Sequence, residues 1–257
     1  MTQPVSVGFN ANQTRAAFTL YHPKGNILTL EMIIALRAAL DSIAENPHLK
    51  LITIEGAGED FSFGASIPEH TPAEIGRVLP EMHALIYDLL DAPAPTLAAV
   101  RGRCLGGGFE LALACDMIIA EEGAAFALPE ILLGVFPPAA AALLPYRMGG
   151  AQATYSILTG RPIDAGLLQA RGLIPVLAAK GSLHATIDAW FEQALAPKSA
   201  AALRHAAAAA RIGLVAHVRE LLPQLERLYL EDLMRTHDAV EGIDAFLAKR
   251  TPKWTDR

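Results

Sequence analysis

Gly106-Gly107-Gly108 runs directly into Phe109-Glu110, and a second glutamate follows twenty residues later in Ala127-Leu128-Pro129-Glu130. A triple glycine opening a helix leaves backbone N–H groups free to face a developing negative charge. Two carboxylates nearby can hold a water and move protons. The set points to an enzyme that makes and quenches an oxyanion. Taken singly, each part has a blander explanation. Clustered glycines often only permit a tight strand-to-helix turn, and Glu110 in a first helical turn complements the helix dipole. Glu130 is less easily dismissed. It sits between Ala127-Leu128-Pro129 and Ile131-Leu132-Leu133. A carboxylate in such surroundings must be paired, hydrogen-bonded or raised in pKa, as a general acid requires.

A second glycine-bearing loop, Phe61-Ser62-Phe63-Gly64-Ala65-Ser66, follows an apolar run at Leu51–Glu55. Set beside the first, it lets the amides of Ala65 and Gly107 converge on one oxygen. Other chemistries find little support. Neither a Walker A loop nor a G-x-G-x-x-G fingerprint is present, and Ser66 lacks the second glycine of a nucleophile elbow. The eight histidines are scattered without ligand spacing, so no metal is expected. Asp116 reads as a residue that caps or terminates structure.

These residues need elements to hold them. Val5–Phe9 and Ala16–Tyr21 read as strands joined through Asn10–Gln13. Thr29 caps a helix whose apolar side is Met32, Ile33, Leu36, Leu40 and Ile43. Leu51–Glu55 is a buried strand ended by Gly56 and Gly58. A helix from about Pro72 to Leu90, a strand at Thr96–Val100, the glycine turn with its helix through Ala114, and a strand at Met117–Ala120 follow. Phe126 is a candidate start of another strand. Alternation of this kind implies an α/β core with buried strands. From about Gly149 the pattern turns helical. Ser199 caps an alanine-rich helix through Arg211, and Leu214, Val218, Leu221, Leu225 and Leu228 form a stripe that suits either an intramolecular core or a subunit interface. Pro223 predicts two helices meeting near Leu222.

With 257 residues, half of them apolar, the chain can bury a substantial core. Its 21 basic against 27 acidic residues argue against nucleic-acid binding. Cys104 and Cys115 are too few for a disulfide framework and suit a reducing cytoplasm. Met1 to Asn10 shows no signal-peptide pattern. The apolar stretch from Ala124 to Tyr146 carries Glu130 and four prolines, so it reads as buried loop and helix rather than a membrane span.

With these motifs in order, the chain resembles the crotonase (enoyl-CoA hydratase/isomerase) superfamily. The matching segments run from about residue 15 to Trp254. They include Pro23 to Asn26, Phe61 to Ala65, Ala98 to Gly102, Gly106 to Glu110, Cys115-Asp116, Pro129-Glu130, Leu158-Thr159-Gly160, Ala170 to Ile174 and Glu241 to Arg250. The resemblance implies an α/β fold: a spiral of ββα units over residues 1–195 that carries the acyl-CoA site. A helical region at 196–257 would assemble trimers, commonly paired into hexamers. It implies an acyl-CoA thioester substrate and no cofactor beyond it. The oxyanion hole maps onto the amides of Ala65 and Gly107, and the two hydratase glutamates onto Glu110, which deprotonates the water, and Glu130, which protonates carbon. Isomerases often keep only the second, so hydration is favoured.

The resemblance extends contacts to the substrate, with Phe63, Gly64, Ser66, Gly106 and Pro137 near the acyl group. Lys24, Lys249 and Arg250 would reach CoA phosphates, and Phe246 the adenine, the last group from a neighbouring subunit. His70 shares the loop region but reads as a surface histidine. Two departures stand out. Phe63 and Ser66 replace the usual small and acidic residues of the first loop. Phe136-Pro137-Pro138-Ala139-Ala140-Ala141 replaces a glycine-rich turn, which removes conformational freedom beside the acyl pocket. Phe61 to His70 nonetheless resembles the branch that hydrates cyclohexa-1,5-diene-1-carbonyl-CoA in anaerobic benzoyl-CoA degradation. A straight-chain enoyl-CoA hydratase or isomerase is the alternative, and a non-catalytic RNA-binding homologue a remote one.

Overall fold

The computed structural model describes residues 3–257. The expectation about the leader therefore rests in part on Met1 and Thr2, which lie outside the described residues. In chain order the elements begin with strands β1 (Val5–Phe9) and β2 (Arg15–Leu20), helix α1 (Leu30–Ile43) and strand β3 (Leu51–Gly56). Next come α2 (Ile75–Leu90), β4 (Thr96–Val100), β5 (Arg103–Leu105), α3 (Gly107–Ala114), β6 (Met117–Glu121) and β7 (Ala125–Ala127). After these come α4 (Pro138–Met148), α5 (Gly150–Thr159), β8 (Ile163–Asp164), α6 (Ala165–Ala170) and β9 (Val176–Ala178). Helices α7 (Leu183–Ala194), α8 (Ala200–Arg227) and α9 (His237–Leu247) complete the chain.

A six-stranded sheet has the order β1-β2-β3-β4-β6-β9, antiparallel only at β1–β2. A smaller sheet, β5-β7-β8, stands beside it. The chain visits one sheet, crosses to the other and returns, and this produces the expected spiral with helices at its C-terminal end. β4 is buried along its whole length, as a parallel strand covered on both faces must be. The main core lies between the larger sheet and α1–α4 with α8. A second apolar layer, Leu51, Leu97, Ala99 and Ile119 against Leu183, Ile187 and Phe191, covers the opposite face with α7. Thr29 accepts from Met32 N at the start of α1, and Ser199 from Ala202 N at the start of α8, so both predicted caps are formed.

Three expectations need correction. The helical second half is interrupted by β8 and β9, and β5 precedes the glycine turn. These strands are two or three residues long, too short for alternation to show. The helix expected from Pro72 begins at Ile75, after a turn. Helix α8 does not break near Leu222 but runs through Pro223 to Arg227. Pro223 is exposed, so the Arg219 carbonyl that it deprives of a donor faces water.

The buried face of α8 is Arg211, Leu214, Val218 and Leu222, and the turn beyond it buries Tyr229 while leaving Leu228 half exposed. Arg211 donates to Asp116 Oδ1 and Oδ2 at 2.7 and 2.6 Å and to the carbonyls of Ala92 and Ala94. Asp116 also accepts from Thr96 N at 2.7 Å. Asp116 thus ties α8 to the start of β4, the structural part expected of it. Among the described residues no helix is long and apolar enough to cross a membrane.

Candidate active site

The two glycine loops meet edge to edge. Short bridges pair Ser62 with Cys104 and Leu28 with Ala65, which lays the Phe61–Ser66 loop along β5 and the start of α3. Gly64 (φ +95°) and Gly106 (φ +49°) adopt backbone conformations that side chains resist. A Cβ on Gly64 would also lie 2.7 Å from the Leu105 carbonyl oxygen. The ideal Cβ position of Gly107 is 3.3 Å from the Ala65 nitrogen, so the two predicted amides are neighbours. Leu28 N bonds to Gly64 O and Ser66 N to Leu28 O, which skips the Ala65 amide. Gly107 is the first residue of α3, where an N–H has no intrahelical acceptor. Among the described residues neither amide has a hydrogen-bond acceptor, so both remain available to an oxyanion.

Ala65 and Gly107 line a cavity of about 80 Å³ that Glu110 and Glu130 line as well. Its walls are mainly apolar, with Ile33, Ile75, Val78, Leu79 and Met82 from α1 and α2. Glu110 is 6% exposed, and its Oε1 accepts from Ala140 N at 2.8 Å. That amide belongs to the first turn of α4, preset by Pro137 and Pro138. Burial raises the pKa of Glu110, while the Ala140 and Ala139 amides and nearby His83 pull it back.

Glu130 sits on a 3-10 turn, Pro129–Leu133, that follows β7. Its Oε1 packs against Gly106, where a Cβ would approach to 2.6 Å, and its buried Oε2 has no partner among the described residues. Burial and then the charge of Glu110 hold its pKa well above the ordinary carboxylate range. Both carboxylates are thus pushed up, Glu130 further than Glu110, so Glu110 is the one of the two that ionises more readily.

Of the remaining predicted contacts, Phe63, Gly64, Gly106 and Pro137 line the cavity. The Phe63 ring packs over Gly25 and under the Arg103 guanidinium, 5.1 Å away. Ser66 does not line the cavity; it is buried beneath the loop, where its carbonyl pairs with His70 Nδ1 at 2.9 Å. His70, read as a surface histidine, instead lines the cavity half-buried, and burial lowers its pKa. Lys24, Phe246 and Lys249 are exposed outside this cavity, and Arg250 forms a two-point pair with Glu241 at 2.5 and 2.7 Å. Among the described residues no group of three or more His, Cys, Asp or Glu is placed to hold a metal ion.

Sequence reasoning missed three residues. Tyr229 lines the cavity from the turn after α8. The buried His83 on α2 pairs through Nδ1 with Glu226 of α8 at 2.5 Å and stands close enough to Glu110 to act on its charge. Tyr229 continues the buried phase of α8 by two turns from Leu222, which was the available signal. The His83–Glu226 pair spans 143 residues and left none.

Comparison with known proteins adds an independent line. A sequence profile described as enoyl-CoA hydratase/isomerase matches residues 10–257. Cyclohexa-1,5-dienecarbonyl-CoA hydratase of Thauera aromatica is 42% identical over 256 residues, covering 100% of this chain and 98% of that protein. Carnitinyl-CoA dehydratase of Salmonella arizonae is 34% identical over 92% of this chain and 93% of its own length. A crystal structure of an enoyl-CoA hydratase from Mycobacterium avium subsp. paratuberculosis superposes with a TM-score of 0.87 at 28% identity, covering 98% of this chain and 99% of that one.

Proposed function

The chain belongs to the enoyl-CoA hydratase/isomerase family, and from that premise we propose that it adds water to a conjugated double bond of cyclohexa-1,5-diene-1-carbonyl-CoA. The observation that carries the hydration chemistry is the convergence of two acceptor-free amides and two unlike glutamates on one apolar cavity. The thioester carbonyl oxygen accepts from Ala65 N–H and Gly107 N–H, donors worth roughly 10²–10³ in rate each where comparable groups have been removed. Glu110, held by the Ala140 amide, takes a proton from the water. Glu130, protonated in its buried site, gives one to carbon. The oxygen–hydrogen bond of water breaks, a carbon–oxygen bond forms, and the carboxyl proton ends on carbon, so the sum is the addition of one water. The first half of α4 supports the base directly, because its free amides favour negative charge at Glu110.

The cyclic acyl group is supported by full-length similarity to the Thauera aromatica hydratase and by a wall that Phe63, Pro137 and Pro138 make stiff and apolar. On this reading the reaction belongs to anaerobic breakdown of aromatic acids through benzoyl-CoA, in the cytoplasm. The free, buried Cys104 and Cys115 agree with a reducing compartment. The exposed apolar residues Tyr155, Leu158 and Ile212 fit burial between subunits of a trimer or hexamer. Purified protein should hydrate cyclohexa-1,5-diene-1-carbonyl-CoA with a higher kcat/KM than crotonyl-CoA. A clear preference for the linear thioester would remove the cyclic assignment and leave the chemistry in place.

A further inference from the structure

Two buried polar atoms of residues lining the cavity have no hydrogen-bond partner among the described residues, the Tyr229 hydroxyl and Glu130 Oε2. Packing explains the Tyr229 ring without its oxygen. The side chain is 2% exposed, meets Phe136 edge-on at 5.4 Å and 67°, and belongs to an apolar cluster with Ile75, Leu79, Val135 and Met234. A phenylalanine would fill that place as well. Burying a phenol without a partner is costly, so the hydroxyl needs a partner that comes and goes with the reaction. Buried polar atoms left over in this way are characteristically joined by a water making about three hydrogen bonds.

Resting on the hydratase reading, we propose that the Tyr229 hydroxyl donates a hydrogen bond to the oxygen of the water that is added. A water offers two hydrogens and two lone pairs. Glu110 and Glu130 Oε2, the carbonyl oxygen of a carboxyl whose proton is on Oε1, accept the hydrogens, and Tyr229 occupies one lone pair. The other lone pair is then the only one left to attack, and it faces the acyl carbon. Tyr229 keeps its proton throughout, since burial and the two carboxylates raise its pKa. The water proton passes to Glu110, the carbon–oxygen bond forms, and the Glu130 proton goes to carbon. After addition the same phenol faces the new hydroxyl oxygen. Its contribution is orientation, which is lost when the oxygen alone is removed.

The test is Tyr229→Phe, which keeps the ring and its contact with Phe136. With the acyl-CoA that the wild type hydrates, kcat should fall about 10- to 100-fold, while KM shifts less than about threefold and the thermal midpoint holds. A tyrosine that only packs would leave kcat unchanged. Wild-type kcat in the variant overturns the proposal and leaves the hydratase reading intact. No hydration of any acyl-CoA by the wild type overturns that reading and this proposal with it. A crystal structure of the wild type should in addition show one ordered water within hydrogen-bond distance of both Tyr229 Oη and Glu130 Oε2. A direct Tyr229–Glu130 bond there, or no water, also overturns it.

Discussion

Glu110 and Glu130 enter the same cavity from two unlike regions. Glu110 stands in the first turn of α3 and meets the opening turn of α4, whose Ala140 amide bonds its Oε1. Glu130 stands on a 3-10 turn outside any long helix, one oxygen against Gly106 and the other without a partner among the described residues. Burial raises both pKa values, but Glu110 has two amides of α4 and a histidine to offset it, whereas Glu130 has only its own backbone amide against burial and the charge of Glu110. Two like charges so close cannot both persist, and the surroundings decide which gives way. What separates the two carboxylates here is backbone placement, not residue type.

The largest break in that comparison comes from the charges themselves. Glu110→Gln and Glu130→Gln should each lower kcat by about 10²–10⁴ with the oligomer unchanged in light scattering. Near-wild-type hydration in either variant removes the role assigned to that residue.

A smaller loss should follow from moving Glu130 without removing it. In Gly106→Ala the new Cβ would sit 2.6 Å from Glu130 Oε1, on a backbone at φ +49° that resists a side chain. A displaced acid should cost about 10- to 100-fold in kcat; full activity would show that its position against Gly106 is immaterial.

Two pH effects sharpen the contrast. The proposed mechanism requires Glu110 ionised and Glu130 protonated, so activity should fall on both sides of an optimum. Glu110→Gln deletes the charge that helps raise Glu130, so the alkaline limb of the residual rate should move to lower pH. An unmoved limb would mean that the two carboxylates do not sense each other. Stability gives the smallest signal. The folded pKa of Glu130 lies above its unfolded value. Its contribution is therefore complete below the unfolded value and lost as pH rises through the folded one. Glu130→Gln should raise the thermal midpoint relative to wild type, increasingly above about pH 5, and the gain should vanish in acid. A constant difference across pH would contradict the raised pKa.

Much of the candidate site's geometry was legible in the sequence because its signals are local. Gly64 and Gly106 mark turns that only glycine enters easily, and Glu130 stands out as a charge among apolar neighbours. The alternating first half announced the sheet for the same reason, through runs long enough to show a pattern. What stayed hidden depends on distant partners. Arg211 reads as the end of an alanine-rich helix until Asp116 and the Ala92 and Ala94 carbonyls surround it. Pro223 suggested a break, but its position on the exposed side of α8 let the helix continue. Tyr229 went unnoticed because the stripe's phase was set one residue off, at Leu221 and Leu228 rather than Leu222 and Tyr229. His70 was read outward because its neighbours in sequence give no sign of the cavity that it lines.

The most direct measurement of the division between the glutamates runs the reaction backward. The hydrated product is incubated in deuterium oxide with each variant, and deuterium is followed at the carbon that receives a proton during hydration. Glu130 alone handles that hydrogen in this account, so Glu110→Gln should still exchange it while Glu130→Gln should not. Exchange retained in Glu130→Gln and lost in Glu110→Gln would contradict the assignment of acid and base.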